Sequence, residues 1–594
     1  MDRDYSGELP RVDARLYNPR PLVLGLSQGV IEGFIMADKV YDAIVVGSGA
    51  TGGWAAKELC EAGMEVALLE AGKKLDPATD YSEHARPWDM KYRNKQAEPE
   101  IEARRPIGAR CYACEETNAH FFVDEVDNPW TVPQGKPFWW VRGRHVGGRT
   151  IMWGRQSYRL SDLDFKAASI DGFGEDWPIT YDEIAPYYDT VERWIGVSGS
   201  KEGFEQLPDG QFLPPMAFTC GELAMKKAVN SMGRGFTIGR VAVLTQNHRG
   251  RTACHYCGPC HRGCSTNSYF NAPGSTLPAA ERTGKMTLIT NAVVRHVTTN
   301  DKGLADGVFY FDSPSKESRE IKAKIIVLCA SSLESTRILF NSSNAQHPNG
   351  LGNSSDALGH YLMDHMYAIG AFGTFPGLGR KPEVANRPNG IYIPRFRNFG
   401  ADKTDKFIRG YGYQGGENAT VWEHAYAMKG FGKEFKEGVR DGNISRASLL
   451  GFGEMLPRWE NQVTINKEKN DAWGIPVLHI DCAHSDNERA MAKDIVEQAA
   501  AMLEAAGAEN VTTSTVPAPP GFGIHECGTA RMGTDPKKSV LNKWNQAHDV
   551  KNLFVLDGAA FPSIACQNPT LTMMALTVRA CEYMVAEHKR GNFA

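Results

Sequence analysis

The hydrophobic pattern near the start of the chain predicts a strand, a tight turn, a helix and a second strand. The apolar run at 44–46 stops at Gly47, residues 51–62 have helical character, and the apolar run at 66–69 ends at Glu70. Further along, residues 288–290, 293–297 and 325–329 predict strands, and residues 332–341 predict a helix. This alternation of strands and helices is typical of a nucleotide-binding sheet.

Two other regions have different patterns. Residues 176–196 predict a capped amphipathic helix, in which Thr180 can be the N-cap and Glu183 follows three residues later; this pattern is typical of a helix that packs against the core. Residues 351–518 are richer in Gly, Trp, Asn and charged residues, and alternating segments such as 462–466 predict strands. This region is expected to form a separate, mainly antiparallel domain. Residues 75–136 are irregular.

Composition excludes some classes of function. A chain of 594 residues is too long for one simple core, so two connected domains are expected. A net charge of -4 without a long Lys/Arg run gives no indication of nucleic-acid binding. No apolar run approaches the roughly 18 residues that span a bilayer. The N-terminus lacks a secretory pattern, and residues 1–37 are interpreted as an extension.

The glycine turn carries the first chemistry. Gly47, Gly49 and Gly52 form G-x-G-x-x-G between a predicted strand and helix, and Glu70 follows the second strand. Such glycines allow a tight turn and close approach of a pyrophosphate, and the acid can bind a ribose hydroxyl. The sequence therefore predicts dinucleotide binding; the alternative is a glycine-rich turn that binds nothing.

A cysteine-rich loop is the second feature that predicts a chemical function. Four of the thirteen cysteines, Cys254, Cys257, Cys260 and Cys264, fall within eleven residues with the spacing C-x2-C-x2-C-x3-C. This spacing is that of iron–sulfur loops, whereas structural zinc sites usually have two short pairs separated by a longer stretch. We expect all four as candidate ligands of a cluster. Zinc and disulfides remain alternatives.

Five ordered motifs resemble those of the glucose–methanol–choline (GMC) family of FAD oxidoreductases. They are the glycine turn with Glu70, RGRHVGG at 142–148, DWPITYDEIAPYY at 176–188, NSSDALGHYLMDH at 353–365, and H-x-x-G-T at 525–529 followed by Asn-Pro at 568–569. The resemblance covers most of the chain from Tyr41 onward, without residues 75–136. It extends to bacterial iron–sulfur sugar dehydrogenases, such as the large subunits of gluconate, glucose and glucoside 3-dehydrogenases.

The resemblance implies an α/β fold with a discontinuous Rossmann-like FAD-binding domain and a second, mainly antiparallel-sheet substrate-binding domain. The implied FAD-binding domain comprises residues 38–165, 250–345 and 516–594, including the cysteine loop at 254–264. The implied substrate-binding domain comprises residues 166–249 and 346–515. The N-terminal extension at 1–37 lies outside both.

The resemblance also implies which residues hold FAD. The glycine turn would hold the pyrophosphate, Glu70 the adenosine ribose, and the backbone of Val294 the adenine. Some relatives have a histidine at the position of Met152 that binds the flavin covalently, which methionine cannot do, so FAD is expected to be non-covalent. The remaining implied contacts are Arg142, Gly147, Gly148, Met152, Trp153 and Gly154 along the flavin ring, and Asp557, Gly558 and Thr570.

For catalysis, His525 matches the family's base and Asn568 matches its partner. Oxidising an alcohol requires a group that accepts the hydroxyl proton, and imidazole suits this near neutral pH, whereas an amide orients the hydroxyl without taking its proton. His525 is therefore the expected base and Asn568 the orienting group. The alternatives are a structural histidine beside Gly528 and an asparagine that begins a helix at Pro569.

The implied enzyme is a dehydrogenase that oxidises a secondary hydroxyl of a sugar or glycoside, at C3 in one branch, and delivers electrons through the cluster to a cytochrome c-type acceptor. In that branch a three-iron cluster uses C-x5-C-x3-C, which Cys254, Cys260 and Cys264 match; Cys257 is then a spare thiol, or the fourth ligand of a four-iron cluster. A small subunit with an export signal would take the chain to the periplasm, with a cytoplasmic enzyme as the alternative. An oxidase that uses oxygen, and an electron-transfer flavoprotein without its own substrate, also remain open.

Overall fold

The computed structural model describes residues 39–94, 98–378, 387–419, 425, 428–441 and 445–593. The chain divides into two units, Met1–Lys39 and Val40–Ala594. The predicted extension at residues 1–37 lies outside the described residues, whose helices and strands all belong to the second unit. The boundaries predicted between its two domains remain a prediction.

The strands are distributed along the chain from residue 40 to residue 555. They are β1 (Val40–Val46), β2 (Val66–Leu69), β3 (Val197–Ser198), β4 (Phe212–Leu213), β5 (Thr237–Ile238), β6 (Met286–Ile289), β7 (Ala292–Thr299), β8 (Ala305–Asp312), β9 (Ser318–Leu328), β10 (His365–Phe375), β11 (Ile391–Ile393), β12 (Tyr411–Ala419), β13 (Ser445–Glu454), β14 (Gln462–Asn470), β15 (Pro476–Asp481), β16 (Glu509–Ser514) and β17 (Leu553–Val555).

The helices vary from single turns to twenty residues. They are α1 (Ala50–Glu61), α2 (Pro77–Asp80), α3 (Glu98–Arg104), α4 (Asp162–Phe165), α5 (Ala167–Asp171), α6 (Tyr181–Ile195), α7 (Cys220–Ser231), α8 (Thr276–Arg282), α9 (Ser332–Asn341), α10 (Gly432–Asp441), α11 (Asp486–Ala505) and α12 (Thr570–Lys589). No helix within the described part of the chain combines the length and apolar character needed to cross a membrane.

The first sheet contains the predicted strand–turn–helix–strand unit. Its order is β6-β2-β1-β9-β8-β7; β6, β2, β1 and β9 run parallel, and β7, β8 and β9 form an antiparallel meander. β17 pairs in parallel with the C-terminal end of β9, beyond the part of β9 that pairs with β8. The predicted nucleotide-binding sheet is thus confirmed, and β17 adds a strand from the far end of the chain.

The second sheet is antiparallel, as predicted for residues 351–518. Its order is β16-β10-β13-β12-β11-β5, so that β5 joins it from outside that region. The predicted strand at 462–466 exists as β14, but it pairs with β15 in a sheet of its own. The hydrophobic pattern did not predict α11, whose Met491, Ile495 and Met502 are buried against the second sheet.

The capped helix predicted at 176–196 is present as α6, which begins at Tyr181, directly after the predicted cap Thr180. Thr180 and Glu183 form the expected capping box, in which the Thr180 side chain accepts from the Glu183 N–H. Ile184, Tyr188 and Val191 are buried in the main core, which also contains residues of the first sheet. The helix therefore packs, as predicted.

Candidate active site

A cavity of about 670 Å³ lies where the parallel strands of the first sheet end. Gly47 follows β1, Glu70 follows β2, and Asp557 lies two residues beyond β17, all at the carboxyl edge where such sheets bind ligands. Gln414 of β12 and Phe452 of β13 line the cavity from the second sheet. The site therefore lies between the two sheets.

The three glycines of the turn have different roles. A Cβ on Gly47, whose φ is +97°, would overlap the carbonyl oxygen of Cys329, and a Cβ on Gly52 would overlap that of Gly47. A Cβ on Gly49 would lie 4.0 Å from the nearest protein atom, the Gly147 oxygen, and Gly49 lines the cavity. The fold itself requires Gly47 and Gly52, whereas Gly49 leaves room for a ligand.

The Glu70 carboxylate is fixed in the cavity wall. It accepts hydrogen bonds from the Ser48 hydroxyl at 2.5 Å, the Ser48 N–H at 3.1 Å and the Gly72 N–H at 3.0 Å. Ser48 Oγ in turn accepts from the Gly147 N–H at 2.9 Å, which joins the two glycine turns. Burial raises the pKa of Glu70, while the hydrogen bonds from Ser48 and Gly72 oppose that shift. A carboxylate has lone pairs beyond these bonds, so the arrangement fits a ribose hydroxyl.

Most of the predicted cofactor residues line this one cavity. They are Gly47, Gly49, Glu70, Arg142, Gly148, Met152, Trp153, Gly154, Val294, Asp557 and Thr570, and His525 and Asn568 line it too.

Gly52, Gly147 and Gly558 are not among the lining residues. The reason is close packing, since a Cβ on Gly147 would meet Pro273 at 2.5 Å and one on Gly558 would meet Ser332 Oγ at 2.7 Å. Their contact with the cofactor stays a prediction, and the close packing indicates that these glycines also shape the turns around the cavity. With an open cradle at Gly49 and an acid at Glu70, the residues present fit FAD.

His525 lies between His365 and Asn568. Its Nδ1 is 3.0 Å from His365 Nδ1, and its Nε2 is 3.1 Å from Asn568 Nδ2. The structure thus brings the two predicted catalytic residues together. It adds His365, which belongs to the motif at 353–365 but had no predicted role.

The hydrogen bonds of His365 determine its tautomer. His365 Nε2 is 2.9 Å from the carbonyl oxygen of Ala565, and because a carbonyl only accepts, Nε2 carries the proton. Burial lowers the pKa of His365 to about 4, so the ring is neutral near pH 7 and Nδ1 presents a lone pair. Nδ1 of His525 must therefore donate to it. His525 Nε2 then has no proton and can act as a base.

Gln414 and Asn568 fix the other side of His525. Gln414 Nε2 donates to Asn568 Oδ1 at 2.6 Å, which directs the Asn568 NH2 group toward His525 Nε2. Burial, His365 and Arg149 hold the pKa of His525 well below 6.5. The reverse tautomer of His525 would place two lone pairs face to face on one side and two donors on the other.

Acidic groups support the segment that carries His525. The Asp364 carboxylate accepts from the N–H groups of His365, Gly521, Gly523 and His525 at 2.8–3.0 Å. Burial and the nearby Glu526 raise the pKa of Asp364 to about 7, although the four N–H groups favour its ionised form. These bonds fix the backbone at His525.

Glu526 has its own counter-ion at the cavity wall. Its carboxylate is fully buried and pairs with Arg149 at 2.9 Å, and Arg149 also lines the cavity. This pair keeps a positive charge beside His525. It therefore contributes to the low pKa of that ring.

The cysteine loop lies next to the cavity. None of its cysteines is a lining residue, but Gly258 is, and Trp153 both lines the cavity and packs with Cys260 and Cys264. Tyr269 packs in the same cluster and donates from its hydroxyl to the Ile151 carbonyl. Trp153 and Tyr269 therefore link the cysteine loop to the segment at 148–156 that lines the cavity.

The donor set of the loop fits a metal–sulfur group. The N–H groups of Tyr256 and Ser268 point to Cys254 Sγ at 3.4 Å and Cys264 Sγ at 3.3 Å, and such bonds stabilise thiolates in clusters. Burial first, then the neighbouring thiols, raises the pKa of Cys254 to about 11 and that of Cys257 to about 12. No disulfide joins any of the thirteen cysteines, all of which lie among the described residues.

Comparisons with known proteins identify the family of the chain. Residues 41–367 and 457–577 match the two profiles described as GMC oxidoreductase. The chain is 29% identical to 2-methyl-1,2-propanediol dehydrogenase of Mycolicibacterium austroafricanum (91% of this chain, 95% of that protein) and 27% identical to fructose dehydrogenase large subunit of Gluconobacter japonicus (93% and 98%). It is 25% identical to gluconate 2-dehydrogenase flavoprotein of Pantoea cypripedii (93% and 95%).

Solved structures agree on the fold. Pyridoxine 4-oxidase from Mesorbium loti superposes with a TM-score of 0.60 at 18% identity, over 91% of this chain and 98% of that one. The predicted fold class is confirmed. The chain belongs to the GMC oxidoreductase family and is an FAD-dependent enzyme that acts on CH–OH groups.

Proposed function

We propose that the chain is a dehydrogenase of a secondary hydroxyl of a sugar or glycoside, with C3 as the position oxidised, and that a cytochrome c-type protein rather than oxygen accepts its electrons. The observation that carries the proposal is the hydrogen-bonded series Ala565–His365–His525–Asn568–Gln414. It presents an unprotonated imidazole nitrogen and an amide NH2 to the same point of the cavity.

These two groups suit an alcohol. A bound hydroxyl replaces the hydrogen bond between Asn568 Nδ2 and His525 Nε2: His525 Nε2 then accepts the hydroxyl proton, and Asn568 Nδ2 donates to the same hydroxyl oxygen and fixes its position. When bound, FAD supplies the acceptor for the hydride on the alcohol carbon. An electron-transfer flavoprotein without its own substrate has no need of such a base, and this favours the enzyme.

The wall opposite the sheet edge suits a polyhydroxylated substrate. Arg387, Asn389, Gln414 and Asn418 line the cavity there, beside the aromatic rings of Tyr367 and Phe452. Asn389 Nδ2 donates to the Gly239 carbonyl at 3.1 Å, while its buried Oδ1 has no hydrogen-bond partner. An unpaired acceptor at a cavity wall costs free energy until a ligand hydroxyl fills it.

The cysteine loop supports a protein acceptor. A single tetrahedral zinc ion with Zn–S bonds of 2.3 Å holds its sulfur ligands about 3.8 Å apart. Among the described residues, His84, His255 and Cys257 have ligand atoms within 4.8 Å of one another. No three of the four loop cysteines have sulfur atoms that close together. Wider spacing suits thiolates bound to different irons of one cluster, and the loop would then provide the electron exit beside Trp153.

Fructose dehydrogenase large subunit and gluconate 2-dehydrogenase flavoprotein are named as parts of larger enzymes. By analogy, we propose a small partner subunit that carries an export signal and takes the folded chain to the periplasm. Expression with and without the neighbouring gene, followed by cell fractionation, tests this. Periplasmic activity of this chain alone would contradict it.

Anaerobic reduction of the flavin by a panel of compounds tests the substrate class. The panel contains free sugars, methyl glycosides, sugar acids and small vicinal diols, the last because one relative is named as a diol dehydrogenase. We expect a sugar or glycoside to bleach the flavin fastest, and NMR of the product to show a 3-keto group. Bleaching by diols alone would refute the sugar assignment, and bleaching by nothing would favour the electron-transfer flavoprotein.

The acceptor is tested separately with Cys260→Ser. Sugar should still bleach the flavin of this variant, and small dyes should still support turnover, while cytochrome c reduction collapses. Cys220→Ser, an exposed cysteine at the start of α7, is the matched control and should behave as the wild type. An unchanged cytochrome rate in Cys260→Ser, together with peroxide formation in air, would favour the oxidase.

A further inference from the structure

Two histidines and a cysteine lie close together at the cysteine loop, and none of them lines the cavity. His84 belongs to the irregular segment 75–136, whereas His255 and Cys257 belong to the loop itself. A ring nitrogen of each histidine and the Cys257 sulfur lie within 4.8 Å of one another. Among the described residues, no other group of three His, Cys, Asp or Glu side chains comes this close.

Two residues of the loop beside these ligand atoms have a positive φ angle. Tyr256, between His255 and Cys257, has φ +56°, which a bulky residue seldom adopts, and Gly258 has φ +107°. These two turns fold the loop back on itself. Residues held in such conformations cluster at ligand sites, where the surroundings determine the backbone.

The ligand atoms are those that zinc prefers. Zn²⁺ binds imidazole nitrogen at 2.0–2.1 Å and thiolate at 2.3 Å, so a tetrahedral ion holds its ligands about 3.3–3.8 Å apart. The two histidine rings have centroids 5.1 Å apart and are tilted by 35°, and the His84 side chain is 56% exposed. Small rotations of these side chains therefore reach the required spacing.

The surroundings supply negative charge and anchoring. Glu83 Oε1 lies 3.8 Å from His84 Nε2 and accepts from the Ser265 N–H at 2.6 Å, which ties residue 83 to the cysteine loop. Glu115 of the same irregular segment pairs with His261 at 3.0 Å and with Arg262. These contacts already hold the two segments together. The fourth position on a bound ion remains open to water.

We propose that His84, His255 and Cys257 bind a zinc ion that joins the segment 75–136 to the cysteine loop. Cys257 is then committed to zinc, and the cluster of the proposed function uses Cys254, Cys260 and Cys264. The zinc site itself does not depend on the substrate or on the reaction. The ion crosslinks residues 84 and 255 beside the electron exit.

Metal analysis of the purified, flavin-containing chain tests the proposal. The protein is treated with EDTA, reloaded with Zn²⁺, and analysed for zinc and iron by mass spectrometry. We expect about one zinc per chain in the wild type, and an at least tenfold lower content in His84→Ala and His255→Ala with iron unchanged. Titration with Co²⁺ should give a thiolate-to-metal absorption band that Cys257→Ser abolishes.

Two further variants separate ligation from folding. His120→Ala removes another histidine of the same segment, whose side chain is 38% exposed and lies near Asp80, and should retain zinc. His84→Cys replaces one ligand by another and should restore zinc to a level lost in His84→Ala. Flavin absorbance and circular dichroism check that each variant is folded.

The outcomes separate the two ideas. A wild type that binds no zinc, or zinc retained in both alanine variants, overturns the site. Iron lost from Cys257→Ser also overturns it, because Cys257 would then be the fourth ligand of a four-iron cluster. A wild type with zinc but without iron supports the site and refutes the cluster of the proposed function.

Discussion

His365 is the residue whose replacement tests the active-site geometry most directly. In His365→Leu, the His525 Nδ1–H loses its acceptor at 3.0 Å and the Ala565 carbonyl loses its donor at 2.9 Å. The competent tautomer of His525 then carries an unsatisfied buried N–H, which costs about 1–3 kcal/mol. At 1.36 kcal/mol per tenfold, the rate constant of flavin reduction should fall about 5- to 150-fold.

The assay is anaerobic stopped-flow reduction of the flavin by a saturating substrate, over a range of pH. His365→Gln is the matched control, because its amide oxygen can accept from His525 while its NH2 group donates to Ala565. We expect this variant to retain most of the wild-type rate. Because the neutral His365 accepts from the His525 Nδ1–H, and this hydrogen bond is stronger when His525 is protonated, its loss in His365→Leu should move the acidic limb of the pH profile to lower pH.

A role in packing alone gives different results. It would lower the thermal stability or the flavin content of both variants without changing the pH profile. Equal rates of flavin reduction in wild type and His365→Leu, with full flavin content, would refute the tautomer argument.

Three other predictions follow from the site. His525→Ala should retain FAD but reduce it at least about a hundredfold more slowly, and near-normal reduction would remove His525 as the base. Gly49→Val should fold with little change in melting temperature yet purify with little flavin, because its side chain enters open ligand space. Gly52→Ala, in contrast, should lose stability because its Cβ overlaps the Gly47 carbonyl. A Gly49→Val protein that purifies with its full content of flavin would contradict the role of Gly49 in cofactor binding. Because a base works unprotonated and the pKa of His525 lies well below 6.5, protonation of His525 should not slow flavin reduction near pH 6.5, and an acidic midpoint there that is assigned to His525 would contradict the assigned environment.

The sequence determined the elements whose signals are local. The strand, turn and helix around Gly47 follow from an apolar run, glycines and helical spacing within thirty residues, and β2 and α9 have the predicted bounds. The capping box of α6 is likewise set by two residues three apart. Helix α11 was missed because the strand-like composition around it outweighed its own apolar spacing.

The tertiary structure decided which residues act together. His365 and His525 are 160 residues apart, and Gln414 and Asn568 are 154 apart, so no local pattern could relate them. Their meeting depends on the second sheet facing the carboxyl edge of the first. The approach of His84 to the cysteine loop likewise depends on the tertiary structure. The different roles of the glycines do too, since only the packed neighbours show that the fold requires Gly52 and that Gly49 leaves room for a ligand. A sequence pattern specifies which groups are present, but the proton position on His525 depends on hydrogen-bond partners that folding brings from distant segments.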